Sequence, residues 1–243
     1  MGVHSKTGLP ESLSYKTKDS SEHSILCSSV LLAAGPWTAR VYKTLFPQSK
    51  LVLPISSLAG WSVVFRSPIA PHPSKTTVPC HAVFTTSDEE GFAPEIFSRS
   101  LPIDDFDDFD IYLAGLNSAE LPLPDVASDI EPPPDLHDPQ IRTLMSFAEK
   151  FLADGSARPL QVLRTGLCYR PVTTKMRPIV SRVDPHHYTG VDQMVSKETQ
   201  GGIFVAAGHG PWGIAMSLGT GSVCADMIVG NPVPGFLEKL GLY

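Results

Sequence analysis

The sequence predicts an α/β fold built on a mixed sheet. Continuous apolar runs of strand length end in glycine turns, as Val30-Leu31-Leu32-Ala33-Ala34 does before Gly35-Pro36. Apolar residues recur at helical spacing through Ile141, Leu144, Met145, Ala148, Phe151 and Leu152. With 19 Gly and 23 Pro the chain is punctuated too often for a helical bundle. At 243 residues, 42% hydrophobic and 18% charged, it has the apolar material for a core and the length of one large or two small domains.

The elements follow in order. Residues 1–24 are polar and Ser-rich, either a ragged terminus or the arms of a hairpin. The run at 30–34 reads as a strand buried on both faces of a parallel sheet, and Trp37–Leu45 as a helix after Pro36. Residues 51–66 read as one or two strands around a turn at Gly60. A Pro-rich connection covers 67–79, and 80–86 and 94–98 read as short strands. The run 104–110 sets Phe106 and Phe109 among five Asp and reads as a solvated edge; it lacks the Gly and Glu of a calcium loop. Residues 119–139, with Pro132-Pro133-Pro134, read as an exposed loop, followed by the helix over 139–153. Strands are expected at 160–169, ended by Arg170-Pro171, at 178–183 and at 202–207. A last helix is expected from Ile214 to Val229.

Charge excludes some functions. The net charge of −6 gives no general attraction to nucleic acid or anionic membrane. The acid is concentrated in 87–138, where Arg99 is the only base, so that segment is a candidate surface for a protein partner. Cys27, Cys80, Cys168 and Cys224 form no CxxC or CxxH pair, which argues against structural zinc and a disulfide scaffold. His186 and His187, beside Asp184, would point to opposite faces of a strand or lie in a loop, so no metal site is expected. No GxSxG is present, which disfavours that class of serine hydrolase. No unbroken apolar run reaches the ~18 residues of a membrane span, and the N-terminus lacks a signal-peptide core. The expectation is a cytoplasmic protein, with peripheral association with endosomes left open.

The densest signal is GGIFVAAGHGPWGIAMSLGTG, 201–221: apolar strand, glycine turn, helix. Gly208, Gly210 and Gly213 allow close backbone approach, and a helix start offers N–H groups and a positive dipole end to an electron-rich ligand. The plain alternative is a tight strand-to-helix turn. The letters fit G-x-G-x-x-G, but no second βα unit follows, so a complete dinucleotide-binding unit is not expected here.

AAGPWT (33–38), CYRPVTTKMRPIV (168–180) and the 201–221 segment together resemble, in order, the C-terminal half of FAD-dependent oxidoreductases of the D-amino acid oxidase family. The nearest likeness is to fungal FAD oxidoreductases of that family. The family's N-terminal GxGxxG is not among these residues. The resemblance implies an incomplete Rossmann-like FAD-binding domain from 1–57 and 166–243. A mainly antiparallel substrate or cap domain would be inserted at 58–165. It implies FAD as cofactor, held by Ala34, Gly35 and Pro36 and by Gly208, His209, Gly210, Pro211, Trp212, Gly213 and Ile214. Arg170 would pair with a substrate carboxylate through its planar fork. The alternative for Arg170 is an ordinary strand-end residue. Cys168 matches a position that tethers flavin covalently in some relatives, or is simply a small buried thiol. Tyr169 and Tyr112 are weaker substrate-side candidates. Ser181 stands where relatives often carry Gly. The function implied is oxidation of an amine or amino acid with hydride passing to flavin, with this chain expected to be a truncated form; the alternative is a non-catalytic scaffold or trafficking protein.

Overall fold

The computed structural model describes residues 1–4, 7–67, 81–86, 92–100, 109–130, 133–152, 160–190 and 199–242. The chain divides into two units. One comprises Met1–Ser57 with Arg170–Tyr243, and the other is Leu58–Tyr169.

In the first unit, β1 (Gly2–Val3), β2 (Pro10–Lys16) and β3 (Glu22–Leu26) form an antiparallel sheet in that order. β2 and β3 are the two arms of a hairpin, closed by Tyr15 stacked on His23 and an exposed Lys16–Glu22 ion pair at 3.0 Å. Such an exposed pair adds little stability. β4 (Ser29–Leu32) follows, and a 3-10 turn over Gly35–Trp37 leads into α1 (Thr38–Leu45).

The second unit is antiparallel in character. β5 (Ser56–Arg66), β6 (Ala82–Phe84), β7 (Glu95–Ser100) and β8 (Phe109–Ser118) pair antiparallel from β6 to β7, β7 to β8 and β8 to β5. α2 (Pro139–Leu152) and β9 (Val162–Val172), whose last three residues belong to the first unit, complete it, with β9 at the sheet edge beside β5. The two-residue period of β5 sends Ala59, Trp61, Val63 and Phe65 into the core. There they meet Leu113 and the apolar stripe Ile141, Leu144, Phe147 and Ala148 of α2. α2 starts where Asp138 Oδ1 accepts the backbone N–H groups of Gln140 (2.8 Å) and Ile141 (3.2 Å), with Pro139 at its first position.

The chain then returns to the first unit with β10 (Ile179–Val183), α3 (His186–Thr189), β11 (Gly202–Ala207) and α4 (Gly213–Val229). β10 is antiparallel to β11, and β11 is parallel to β4, so the order β10-β11-β4 makes a mixed sheet. Leu32, Ile179, Val183, Ile203 and Val205 fill one face of this sheet against Tyr42, Phe46 and Leu53. Burial of each such side chain stabilises by roughly 1.5–3 kcal/mol. Tyr42 and Ser49 share a buried hydroxyl hydrogen bond of 2.8 Å.

Several expectations are corrected. Residues 56–66 form one strand with no turn at Gly60, because Gly60 stays in register opposite Asn117. β4 is not buried on both faces: Leu32 is buried while Leu31 is exposed, because on the second face α4 packs over β10 and β11 and not over β4. Arg170-Pro171 does not end its strand, as β9 runs on to Val172. His186 and His187 lie neither on strand faces nor in a loop. They open the one-turn helix α3, with ring centroids 3.7 Å apart and His186 Nδ1 2.9 Å from Asp184. Among the described residues no cluster suits a metal ion. Asp110 is buried in β8 instead of lying on a solvated edge, while 104–108 fall outside the described residues. Much of the acidic segment, and Cys80, also fall outside them. The last apolar run is broken where Gly and Pro fall, β11 ending at Ala207, but the expectation that no stretch reaches span length is not met. The turn at Gly210–Trp212 passes directly into α4, and Gly210–Val229 is long and apolar enough by length and composition to cross a membrane.

Phe147, fully buried between the rings of Phe92 and Phe151, reports on the second unit. Phe147→Ala should cost about 3–5 kcal/mol in urea unfolding followed by circular dichroism; a loss under about 1 kcal/mol would mean the α2 face is not packed on β5.

Candidate functional site

β4 and β11 are parallel, and both end in the same device. After β4 come Ala33, Ala34, Gly35, Pro36 and Trp37; after β11 come Gly208, His209, Gly210, Pro211 and Trp212. Each Gly-Pro-Trp forms a 3-10 turn with proline near its start, and each leads into a helix. The two turn glycines adopt almost the same left-handed backbone, φ +55° at Gly35 and +56° at Gly210. Because Leu32 lies opposite Val205, the two turns leave the same end of the sheet.

Local chemistry explains the turns. Proline supplies the φ of a helical first turn and lacks an N–H that would go unpaired there. Thr38 Oγ1 donates to the Gly35 carbonyl at 2.8 Å and locks the first turn onto α1. Neither turn carries a side-chain cap or an acidic residue in its first turn, and the same holds at the start of α4. The first-turn N–H groups and the positive end of the α4 dipole are therefore not consumed by a side chain.

Gly208 is the tightest point. Its φ is +84°, and a Cβ there would lie 2.5 Å from Thr173 Cγ2. Thr173 is buried in the β9–β10 connection, where its Oγ1 donates to the Arg177 carbonyl at 2.7 Å. So one turn supports the other. At Gly35 the opposite holds: a Cβ would meet nothing within 4 Å, so the space over that turn is open.

His209 is half-buried, with Nε2 3.0 Å from Thr220 Oγ1 two turns along α4. Burial pushes its imidazole below the ordinary histidine value, so it is neutral at pH 7. Pro211, Trp212 and Ile214 are exposed, Trp212 by 61% and Ile214 by 93%.

Of the remaining predicted residues, Cys168, Tyr169 and Arg170 lie on β9. Arg170 is half-buried in the first unit. In the second unit, Tyr169 packs against the Trp61–Leu113 core, and burial raises its phenol above the usual value. Cys168 is exposed, which removes the buried-thiol reading, and its Sγ lies 3.6 Å from the Gly60 carbonyl. Tyr112 lies on β8 with its ring 6.1 Å from that of Phe97. Thr173 and Thr220 were missed from the sequence. Thr173 acts through a contact distant along the chain and Thr220 through one made two turns into α4, and a lone Thr in a turn or helix carries no motif.

The DAO family model, described as FAD dependent oxidoreductase, matches residues 5–227. The chain belongs to this family. Two curated fungal relatives carry names that say oxidoreductase and specify no substrate. TDA3 of Saccharomyces cerevisiae is 23% identical over 203 residues, covering 82% of this chain and 31% of the relative. C1F5.03c of Schizosaccharomyces pombe is 26% identical over 215 residues, covering 87% and 44%. The chain thus spans under half the length of either. Among solved structures, glycine oxidase from Geobacillus kaustophilus shares the fold at TM-score 0.58 and 18% identity, covering 96% of this chain and 52% of that one. L-proline dehydrogenase from P. horikoshii does so at TM-score 0.57 and 17% identity, covering 100% and 52%.

The family's cofactor is FAD, and the residues present fit its ring end. The glycine backbone at 208–213, the start of α4 without a side-chain cap and the open space at Gly35 are features that a flat, electron-rich ligand would need for close approach.

Gly208→Ala should destabilise the chain by about 1–3 kcal/mol through left-handed strain and the Thr173 clash. Adding Thr173→Ser should recover part of that loss in thermal unfolding; no recovery would separate Gly208 from Thr173. Proton NMR should place the His209 midpoint below about 6.5. With the folded value depressed, its contribution to stability is complete above about pH 6.5 and declines as pH falls from there toward the folded midpoint. A midpoint at or above the ordinary value would contradict its burial.

Proposed function

We propose that this chain supplies the flavin-ring and substrate side of an FAD-dependent oxidoreductase acting on a C–N bond of an amine or amino acid. The observation that carries the reading is the paired Gly-Pro-Trp turns at one end of the parallel β4–β11 pair, with the start of α4 left uncapped. FAD, when bound, supplies the two-electron acceptor for such an oxidation.

The protein's own part is binding, orientation and electrostatics. Gly208, His209, Gly210, Pro211, Trp212, Gly213 and Ile214 would hold the ring from the β11 side, and Ala34, Gly35 and Pro36 from the β4 side. The dipole of α4 favours negative charge at its start, and because it is already oriented it needs no reorganisation as that charge develops. The bond from His209 to Thr220 ties the loop to the helix, which keeps the glycine backbone in one conformation. Arg170 would receive a substrate carboxylate through two parallel N–H···O bonds, an arrangement lysine cannot reproduce. A neutral His209 neither adds positive charge to the loop nor requires a counter-ion. The glycine, iminodiacetate and L-amino acid substrates named for proteins of this fold agree with a small carboxylate-bearing amine.

The test is the visible spectrum of the purified 243-residue chain with added FAD. Bands near ~375 and ~450 nm that survive gel filtration are the expected result. A folded but colourless chain would overturn the reading that these residues hold flavin. In a flavin-loaded preparation with amine-oxidising activity, Arg170→Leu should raise KM for carboxylate substrates at least tenfold and leave flavin content intact; unchanged kinetics would remove Arg170 from the site.

A further inference from the structure

We propose that a second pocket of the first unit, at the opposite end of α4 from the glycine turns, binds an uncharged, largely apolar small molecule such as a medium-chain alcohol. The pocket is about 650 Å³, and its lining comes from β10, β11, the last turns of α4 and the segment after α4. Gly230 is part of that lining, 17 residues beyond Gly213, which places it about 25 Å along the helix from the turns. The pocket is therefore separate from the candidate flavin loop.

The walls are apolar. Phe204 supplies the sheet side, Val223 and Met227 the helix side, and Pro232, Val233 and Leu237 the side beyond the helix. Phe204 pairs with Leu31 and with Arg182, so the two-residue period sends it to the sheet face opposite the main core. On that face α4 packs over β10 and β11, and the 3-10 segment Gly235–Leu240 packs on β10. Helix, sheet and 3-10 segment thus bound the space on three sides. Volume and walls of this kind are those of an ordinary small-molecule site.

The charges around the pocket are already engaged, and this decides the charge of the ligand. Arg182 Nη1 donates to the Thr199 carbonyl at 2.8 Å. A Cβ on Gly202 would lie 2.8 Å from Arg182 Nε and 3.0 Å from Nη2, so that edge of the guanidinium is sealed against the β11 backbone. Asp184 Oδ1 accepts the His186 backbone N–H at 3.1 Å and lies 2.9 Å from His186 Nδ1. Glu238 has a partner of its own and stands in water. A carboxylate or an ammonium entering the pocket would give up its hydration and find each counter-charge taken. Burying an unpaired charge costs far more than burying a hydroxyl, so the pocket selects against both signs. A chain of about eight carbons fits a cavity of this size.

The experiment is isothermal titration of the full chain at pH 7 with octanol, octanoate and octylamine, three ligands of one chain length. Octanol should bind at least tenfold more tightly than either charged comparator. Butanol should bind at least tenfold more weakly than octanol, because it removes four fewer carbons from water. Met227→Trp and Val233→Trp, which fill the cavity from two different segments, should each weaken octanol at least tenfold in a chain that keeps its circular dichroism. Leu218→Ser, on the exposed face of α4, should leave octanol binding unchanged. Octanoate binding as tightly as octanol would mean that the guanidinium is open to the pocket, and octylamine doing so would mean that an acid is. Either result overturns the proposal without any variant, as does an absence of octanol binding. Octanol binding that survives both cavity-filling substitutions, or that is lost in Leu218→Ser, overturns it too, because the ligand would then lie on the open helix face.

Discussion

The parallel pairing of β4 with β11 is the constraint on which the rest of the first unit depends. Parallel strands cannot be joined by a short hairpin, so the pairing brings together segments about 170 residues apart in the chain, with the whole second unit in between. The pairing fixes which ends coincide. Once Leu32 lies opposite Val205, the turns after β4 and β11 emerge side by side, and two Gly-Pro-Trp sequences that look unrelated along the chain become a matched pair. The alternation of each strand then assigns its faces. Leu32, Ile203 and Val205 bury against α1, while Leu31, Phe204 and Arg182 face the other way.

The two faces meet different fates. The first is a packed core in which Tyr42, Phe46 and Tyr188 pack ring against ring at a tilt. Tyr188 donates to the Gly8 carbonyl at 2.9 Å and ties the N-terminal sheet to the same core; its phenol is pushed up to about 12, chiefly by burial. The second face carries α4, whose only buried residue is Cys224 even though its composition is apolar all round. A helix of that composition is ordinarily a buried one. Along this single helix the character changes from an uncapped, glycine-rich start to a C-terminal end closed by Gly230 at φ +78°, beside the cavity that holds Arg182.

Glycine and threonine do complementary work at the tight points. Gly208 and Gly202 each remove a side chain where another residue must pass, Thr173 in one case and Arg182 in the other. Both lie in or directly after β11, so this one strand supports the candidate flavin loop at one end and the cation-bearing pocket at the other. The turn glycines Gly35 and Gly210 have a different reason, a left-handed backbone at a strand-to-helix corner, and Gly35 meets no neighbour at all.

The α/β class, the AAGPWT and GHGPWGI segments, α2 and the strands around Ile179 and Phe204 were legible in the sequence, because each is written in local periodicity or in a run closed by glycine and proline. So were the glycines at the turns, since a strand running into a glycine-rich helix start is a local pattern. Tertiary structure decided what depends on pairing across the chain. It kept Gly60 inside a strand, because the partner β8 continues past it. It carried β9 through Arg170-Pro171, a position proline tolerates at a sheet edge. It exposed Leu31 and most of α4, because burial depends on what lies opposite a face and hydrophobicity alone cannot say whether anything does. It also brought Thr173 under Gly208, Thr220 onto His209 and Gly202 against Arg182. No residue type announces such contacts; those at Gly208 and Gly202 exist only once β10 and β11 pair, and that at His209 only once α4 has formed.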